Sequence, residues 1–151
     1  IEFAARSDNG AGIYVDYAHT PDALAHVLTA LREHTKNQLK VVFGCGGDRD
    51  QGKRPAMGAI AASLADEVII TDDNPRGEDA TLIRAQVMSA CPGAKEIGDR
   101  ETAIAVAIDS LSAGDLLVIV GKGHEQGQII GETIISFDDV TIAKNSAGGV
   151  A

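Results

Sequence analysis

The most constraining feature of this chain is a run of five uninterrupted aliphatic residues, Leu116-Leu117-Val118-Ile119-Val120, closed at once by Gly121-Lys122-Gly123-His124-Glu125. A strand that is apolar at every position is covered on both faces, and this happens when helices flank a parallel sheet on both sides. Short strands are predicted in the same way over Ile13-Tyr14-Val15-Asp16, from Leu39 to Phe43 and over Val68-Ile69-Ile70-Thr71, with a weak one near Lys95 to Ile97.

Helical segments alternate with these strands. The first begins at Thr20-Pro21-Asp22, where Thr20 caps, Pro21 suits the first helical position and Asp22 complements the dipole. Leu24, Val27, Leu28 and Leu31 then share one face. A second helix is predicted from about Pro55, burying Met57, Ile60, Ala61 and Leu64. A third covers Ala80 to Ser89, and a fourth starts at Asp99 and carries Ile104, Ile108 and Leu111 inward. Ile1 to Gly12 reads as irregular with a turn at Ser7-Asp8-Asn9-Gly10, and Thr133 to Phe137 as an edge strand. The expected fold class is therefore α/β: Rossmann-like and doubly wound, with a mostly parallel sheet of about six strands and flanking helices. Residues 1–145 are expected to form one domain, and Ser146 to Ala151 a flexible small-residue tail.

Composition narrows the function. The apolar residues are mainly Ala, Val, Ile and Leu, with no Trp, which suits a helix-covered sheet better than an aromatic-rich sandwich. A formal charge of −9 argues against a nucleic-acid partner, because phosphates would go unneutralised. Cys45 and Cys91 match no zinc spacing and are too few for a disulfide framework. No signal peptide or bilayer-length apolar run is present. A cytoplasmic protein with no membrane partner is expected, and a monomer.

Parallel sheets bind ligands in the loops beyond the carboxyl ends of their strands. Every chemically loaded segment lies at such an end: Asp16 to His19, Gly44 to Arg54, Asp72 to Arg76 and Gly121 to Glu125. Gly47-Asp48-Arg49-Asp50-Gln51-Gly52-Lys53-Arg54 almost spells a phosphate loop, but Arg54 stands where the magnesium-binding hydroxyl belongs, and Asp48 and Asp50 would repel phosphates. Arg49 can reach a carboxylate across the strand ends, or pair locally with Asp48 or Asp50. Asp72-Asp73-Asn74-Pro75-Arg76 sets carboxylates, an amide and a guanidinium around a rigid proline, enough to hold both charges of an amino-acid centre. It reads equally well as a charged turn capping the next helix. Glu125 can bind an ammonium beside Gly121, whereas His124 and Lys122 also read as ordinary loop residues. Asp16 and His19 can face a nucleotide, or Asp16 can be satisfied by neighbouring amides. His26 and His34 read as surface residues on a helix, and Cys45 has no nucleophilic role.

Together, Asp16-Tyr17-Ala18-His19-Thr20-Pro21, Phe43-Gly44-Cys45-Gly46-Gly47-Asp48-Arg49-Asp50, Asp73-Asn74-Pro75-Arg76 and Gly121-Lys122-Gly123-His124-Glu125 resemble the C-terminal domain of the Mur ligases, in the branch that adds meso-diaminopimelate. The resemblance covers nearly the whole chain in order. It implies an ATP-dependent, amide-forming ligase of peptidoglycan biosynthesis that joins the diamino acid to UDP-MurNAc-L-Ala-D-Glu. Arg49, Asp73, Asn74, Pro75, Arg76, Gly121 and Glu125 would form the amino-acid site, with Arg76 on the carboxylate that L-lysine lacks. Asp16 and His19 would lie on the nucleotide side. The family's phosphate loop, its carbamylated lysine and its uridine-nucleotide domain do not occur here, and Ile1-Glu2 looks like the middle of the family's Gly-Arg-x-Glu segment. ATP and Mg2+ are thus expected to bind mainly outside this chain, which alone would bind the diamino acid without ligating it. The alternative is a free-standing nucleotide-binding α/β domain that uses Gly47 to Lys53 for phosphate.

Overall fold

A computed structural model describes residues 1–47, 51–121, 127–130, 133–136 and 139–147. Strands β1 (Glu2–Arg6) and β2 (Gly12–Asp16) form a hairpin. There follow α1 (Pro21–Arg32), β3 (Leu39–Phe43), α2 (Lys53–Leu64), β4 (Glu67–Ile70), α3 (Ala80–Met88), β5 (Lys95–Glu96), α4 (Arg100–Asp109) and β6 (Leu116–Val120). The chain continues through β7 (Gly127–Ile130), β8 (Thr133–Ser136) and α5 (Asp139–Ser146). The main sheet has six strands in the order β1-β2-β6-β3-β4-β5, parallel throughout except for β1. The doubly wound, mostly parallel sheet expected from the sequence is the one observed.

β6 lies at the centre, between β2 and β3, and this explains its uninterrupted apolar run. Leu116, Val118 and Val120 pack into a core shared with α1, α2 and α3, while Leu117 and Ile119 pack into a second core with α4 and α5. β3 divides likewise, Leu39, Val41 and Phe43 facing the first core and Val42 the second. Each such fully buried aliphatic side chain contributes about 1.5–3 kcal/mol. Lys40 interrupts β3 with a buried ammonium. It is paired with Glu67 at 3.0 Å and Asp115 at 3.5 Å and donates to the Ser110 carbonyl at 3.0 Å. α1 forms as expected: Thr20 accepts from the Ala23 amide at 3.2 Å, and Leu24, Val27, Leu28 and Leu31 are buried.

Four expectations are corrected. Ile1 to Gly12 is not irregular but contains β1. Its alternation is erased by a register shift between Phe3 and Ala5 and by two adjacent buried alanines, although the turn at Ser7 to Gly10 forms. α2 begins at Lys53 rather than near Pro55, because proline lacks only an amide that the first turn leaves unused anyway. Ile60 and Leu64 are half-buried at its edge, and Arg54 and Gly58 take core positions instead. Thr133–Ser136 pairs with Gly127–Ile130 in a separate two-stranded antiparallel sheet rather than at the edge of the main one. Ser146 closes α5 and Ala147 is buried, so the tail does not begin at Ser146; residues 148–151 lie outside the described residues. Asp-Val-Thr-Ile-Ala-Lys-Asn-Ser is a weak helix former, and α5 is held by tertiary contacts at Asp139 and Ala143. Among the described residues no helix is long and apolar enough to cross a membrane.

Candidate functional site

The chain leaves β2 and β3 for helices on one face, whereas after β6 it reaches α5 on the other. Such a switch opens a crevice at the carboxyl ends of the strands, here above β6. Gly121 sits at its floor. Its backbone is left-handed (φ 117°), and its amide donates to the Asp16 carbonyl at 3.0 Å. A β-carbon there would lie 3.8 Å from Cγ of Asp73 and 3.9 Å from the Gly44 carbonyl. One glycine thus gathers the loops after β2, β3, β4 and β6.

The loops after β3 and β4 are stitched together. The Gly47 amide donates to the Asn74 carbonyl at 2.7 Å. The Arg76 guanidinium donates to the Gly47 carbonyl at 3.1 Å and to the Asn74 carbonyl at 3.3 Å. A β-carbon on Gly47 would collide with the Pro75 carbonyl, and one on Gly44 with the Thr71 carbonyl. These two glycines therefore serve loop-on-loop packing, and Gly47, the first glycine of the near-phosphate-loop pattern, is closed over by the Pro75 backbone. Arg76 itself adopts φ 53°, a left-handed conformation that costs a side-chain-bearing residue about 1–2 kcal/mol. Such strain persists only where the surroundings enforce it, and it is common in binding loops. The helix-cap reading of this turn fails, because Asp79 caps α3 by accepting from the Thr81 amide at 2.9 Å. Asp72 is paired with Arg84. Burial raises the Asp72 carboxyl above its ordinary value, and the Arg84 guanidinium partly offsets this.

The resulting cleft holds about 550 Å³. Tyr17, His19 and Thr20 line it from the β2–α1 loop, Gly44, Cys45 and Gly46 from the β3–α2 loop, and Lys53 and Met57 from α2. Asp73, Asn74 and Arg76 line it from the β4–α3 loop, and Gly121 closes it. A carboxylate, an amide and two cations around one crevice suit a ligand bearing both ammonium and carboxylate groups. Of the residues singled out in the sequence, Asp73, Asn74, Arg76, Gly121 and His19 meet here. Pro75 is buried and acts through its backbone against Gly47. The exposed His19 has Nδ1 3.2 Å from the Tyr17 carbonyl, and its own carbonyl accepts from Lys53 at 3.0 Å. Asp16 reaches the site through its backbone only. Its carboxylate accepts from the Ala18 amide at 2.8 Å, as the neighbouring-amide reading had it. Arg49, Glu125, Lys122, Gly123 and His124 lie outside the described residues. Among those described, no His, Cys, Asp and Glu cluster is arranged to hold a metal. A smaller, more apolar cleft of about 320 Å³ lies elsewhere, where Lys40 and Glu67 already pair with each other.

Cys45 lines the main cleft but is buried against Met57, its thiol 3.7 Å from the thioether. Burial, and then the nearby Asp73 carboxylate, push its pKa up to about 12. In a Cys91→Ala background, alkylation of Cys45 at pH 8 is expected to run about a thousandfold slower than for an ordinary cysteine, from the thiolate fraction alone. The rate should rise about tenfold per pH unit below that pKa. Labelling at the rate of a free thiol would show that the cleft does not bury this sulfur.

The structural roles of two arginines escaped the sequence reading, which noted Arg54 only as a departure from the phosphate-loop pattern. Arg54 and Arg100 are buried at the first turns of α2 and α4, where charged residues are usually solvated. The signal was present: Arg54 shares a helical face with Met57 and Ala61, as Arg100 does with Ala103, Ile104 and Ile108. A charge in phase with a buried stripe implies a buried partner.

Fold and cleft together define a doubly wound α/β domain with a polar cleft beyond the ends of its parallel strands. Residues 1–123 match the Mur ligase, glutamate ligase domain, and the chain belongs to the Mur ligase family. It is 61% identical over 150 residues to the UDP-N-acetylmuramoyl-L-alanyl-D-glutamate–2,6-diaminopimelate ligase of Zymomonas mobilis, covering 97% of this chain and 31% of that protein. The ligase of the same name from Caulobacter vibrioides is 56% identical over 150 residues, covering 99% of this chain and 31% of that protein. A solved structure of a ligase of this name superposes with a TM-score of 0.91 at 44% identity, covering 98% of this chain and 31% of that one. The chain thus spans about a third of the length of these relatives.

Proposed function

We propose that this chain is the amino-acid-binding domain of a ligase that adds meso-diaminopimelate to UDP-MurNAc-L-Ala-D-Glu, and that it binds the diamino acid without ligating it alone. The observation that carries this reading is the convergence of Asp73, Asn74, Arg76 and Gly121 on one polar cleft at the switch point of the sheet. The names of its relatives, at 61% and 56% identity, support the same substrate. Arg76 takes the carboxylate at the far end of the diamino acid, Asn74 and the Gly121 backbone orient the amino-acid centre, and Asp73 holds an ammonium. Arg49 and Glu125 complete the site from the loops after β3 and β6, and Pro75 keeps the Asn74–Arg76 turn in shape.

In the full-length enzyme, ATP with Mg2+ supplies the phosphoryl group that activates the D-glutamate side-chain carboxylate, and a domain outside this chain binds both. This chain presents the attacking amine and excludes water as the domains close. His19, exposed at the rim beside Lys53, faces the nucleotide side, and Asp16 supports it by holding the loop through the Ala18 amide. The competing phosphate-loop reading is disfavoured by Gly47, which is closed over by the Pro75 backbone, and by Arg54, which stands in place of the hydroxyl and is buried.

Titrating the labelled protein with meso-diaminopimelate and with L-lysine, followed on backbone amides, tests this reading. Shifts confined to Asp73–Arg76, Gly121 and the loops around Arg49 and Glu125 are expected at low concentrations of diaminopimelate, with L-lysine producing them only weakly at much higher concentrations. An equal response to L-lysine would remove the role given to Arg76. Silence here combined with silence in the full-length enzyme would overturn the assignment.

A further inference from the structure

The near-phosphate-loop ends in Arg54, and the function above leaves that residue unexplained. Its side chain is fully buried at the start of α2. Nη1 and Nη2 donate to the two carboxylate oxygens of Glu78, each at 2.9 Å. Nη1 also donates to Oε1 of Gln86 on α3 at 2.9 Å, and Nη2 to the Gly46 carbonyl at 3.0 Å. One guanidinium therefore grips both loops of the cleft: Gly46 on the β3 side, and Glu78, two residues beyond Arg76, on the β4 side. The Glu78 amide closes that turn on the Pro75 carbonyl at 3.0 Å. Between these anchors the backbone of Arg76 is held left-handed.

We propose that Arg54 and Glu78 are positioning residues that hold the Asn74–Arg76 turn against the glycine loop, so that this buried pair sets affinity and selectivity for a ligand carrying a second carboxylate. The proposal rests on the substrate reading above. A bidentate Arg–carboxylate pair fixes direction as well as distance, which a lysine in its place does not. Strain at Arg76 is released once the far anchor loosens, and the guanidinium then loses its fixed approach to the cleft. Arg54 thus occupies the place of a phosphate-loop hydroxyl because the loop's task here is to carry a neighbouring turn.

Glu78→Gln and Arg54→Lys should be compared with the unsubstituted chain by titration with meso-diaminopimelate and with L-lysine. The Arg76 backbone angle should be read in parallel from its amide–Hα coupling. Glu78→Gln is expected to weaken diaminopimelate binding at least about tenfold, as for loss of one charge-assisted hydrogen bond. L-lysine affinity should stay within about twofold, because lysine offers nothing to Arg76 and Asn74 is held separately by the Gly47 amide. The Arg76 coupling should move away from its left-handed value, and Arg54→Lys should repeat both effects even if the first variant folds poorly. Parallel loss of both ligands, or unchanged diaminopimelate affinity, would overturn the proposal. So would an unchanged Arg76 coupling in a folded variant, whether or not any ligand binds. If the unsubstituted chain binds neither ligand, the substrate reading is in question, while the backbone coupling still decides the positioning role.

Discussion

Arg100→Met is expected to destabilise the protein by about 3–5 kcal/mol, the cost of leaving a buried carboxylate without its partner. For a chain of this size that lowers the melting midpoint by roughly 10 °C. Arg100 and Asp139 are paired with neither side chain exposed, Nε donating to Oδ1 at 2.9 Å and Nη2 to Oδ2 at 2.8 Å. The same guanidinium donates to the carbonyls of Asp72 at 3.0 Å and Val120 at 3.1 Å. It therefore ties the ends of β4 and β6 to the start of α5, one residue before Asp73 and Gly121 enter the cleft. Removing both charges together, in Arg100→Met/Asp139→Leu, should recover most of the loss, since desolvating the pair is itself expensive. A thermal melt decides it: a single variant melting within about 2 °C of the parent would mean that solvent reaches this pair.

Arg76→Gly is expected to separate binding from stability. Loss of the proposed charge-assisted contact to the distal carboxylate should weaken meso-diaminopimelate about 100-fold and leave L-lysine unchanged. Glycine meanwhile accepts φ 53° without strain, so the variant should melt no lower than the parent despite losing the hydrogen bonds to Gly47 and Asn74. Paired calorimetric titrations and melts measure both. If diaminopimelate and L-lysine affinities fell equally, Arg76 would be shaping the loop rather than reading the distal carboxylate.

Much of the fold was legible in the chain because its signals are local. Five aliphatic residues in a row announce a strand covered on both faces, and Leu24, Val27, Leu28 and Leu31 announce the face of α1. The elements that escaped lack such patterns. β1 carries a register shift and adjacent alanines, and α5 is built from poor helix formers held by a buried ion pair to another helix. The convergence of the strand-end loops was likewise readable, because parallel topology alone puts them on one side.

The sequence by itself determined the two-faced sheet, the loops that carry the chemistry and the family they spell, since strand periodicity and residue type act over a few neighbours. Tertiary structure decided what each polar residue does. It gave Gly47 of the near-phosphate-loop to loop packing and Asp16 to a backbone amide, and it turned Arg54 and Arg100 into buried ties between strand ends. The reason is physical: a charge far from its partner in sequence has no preferred role until folding removes the water between them.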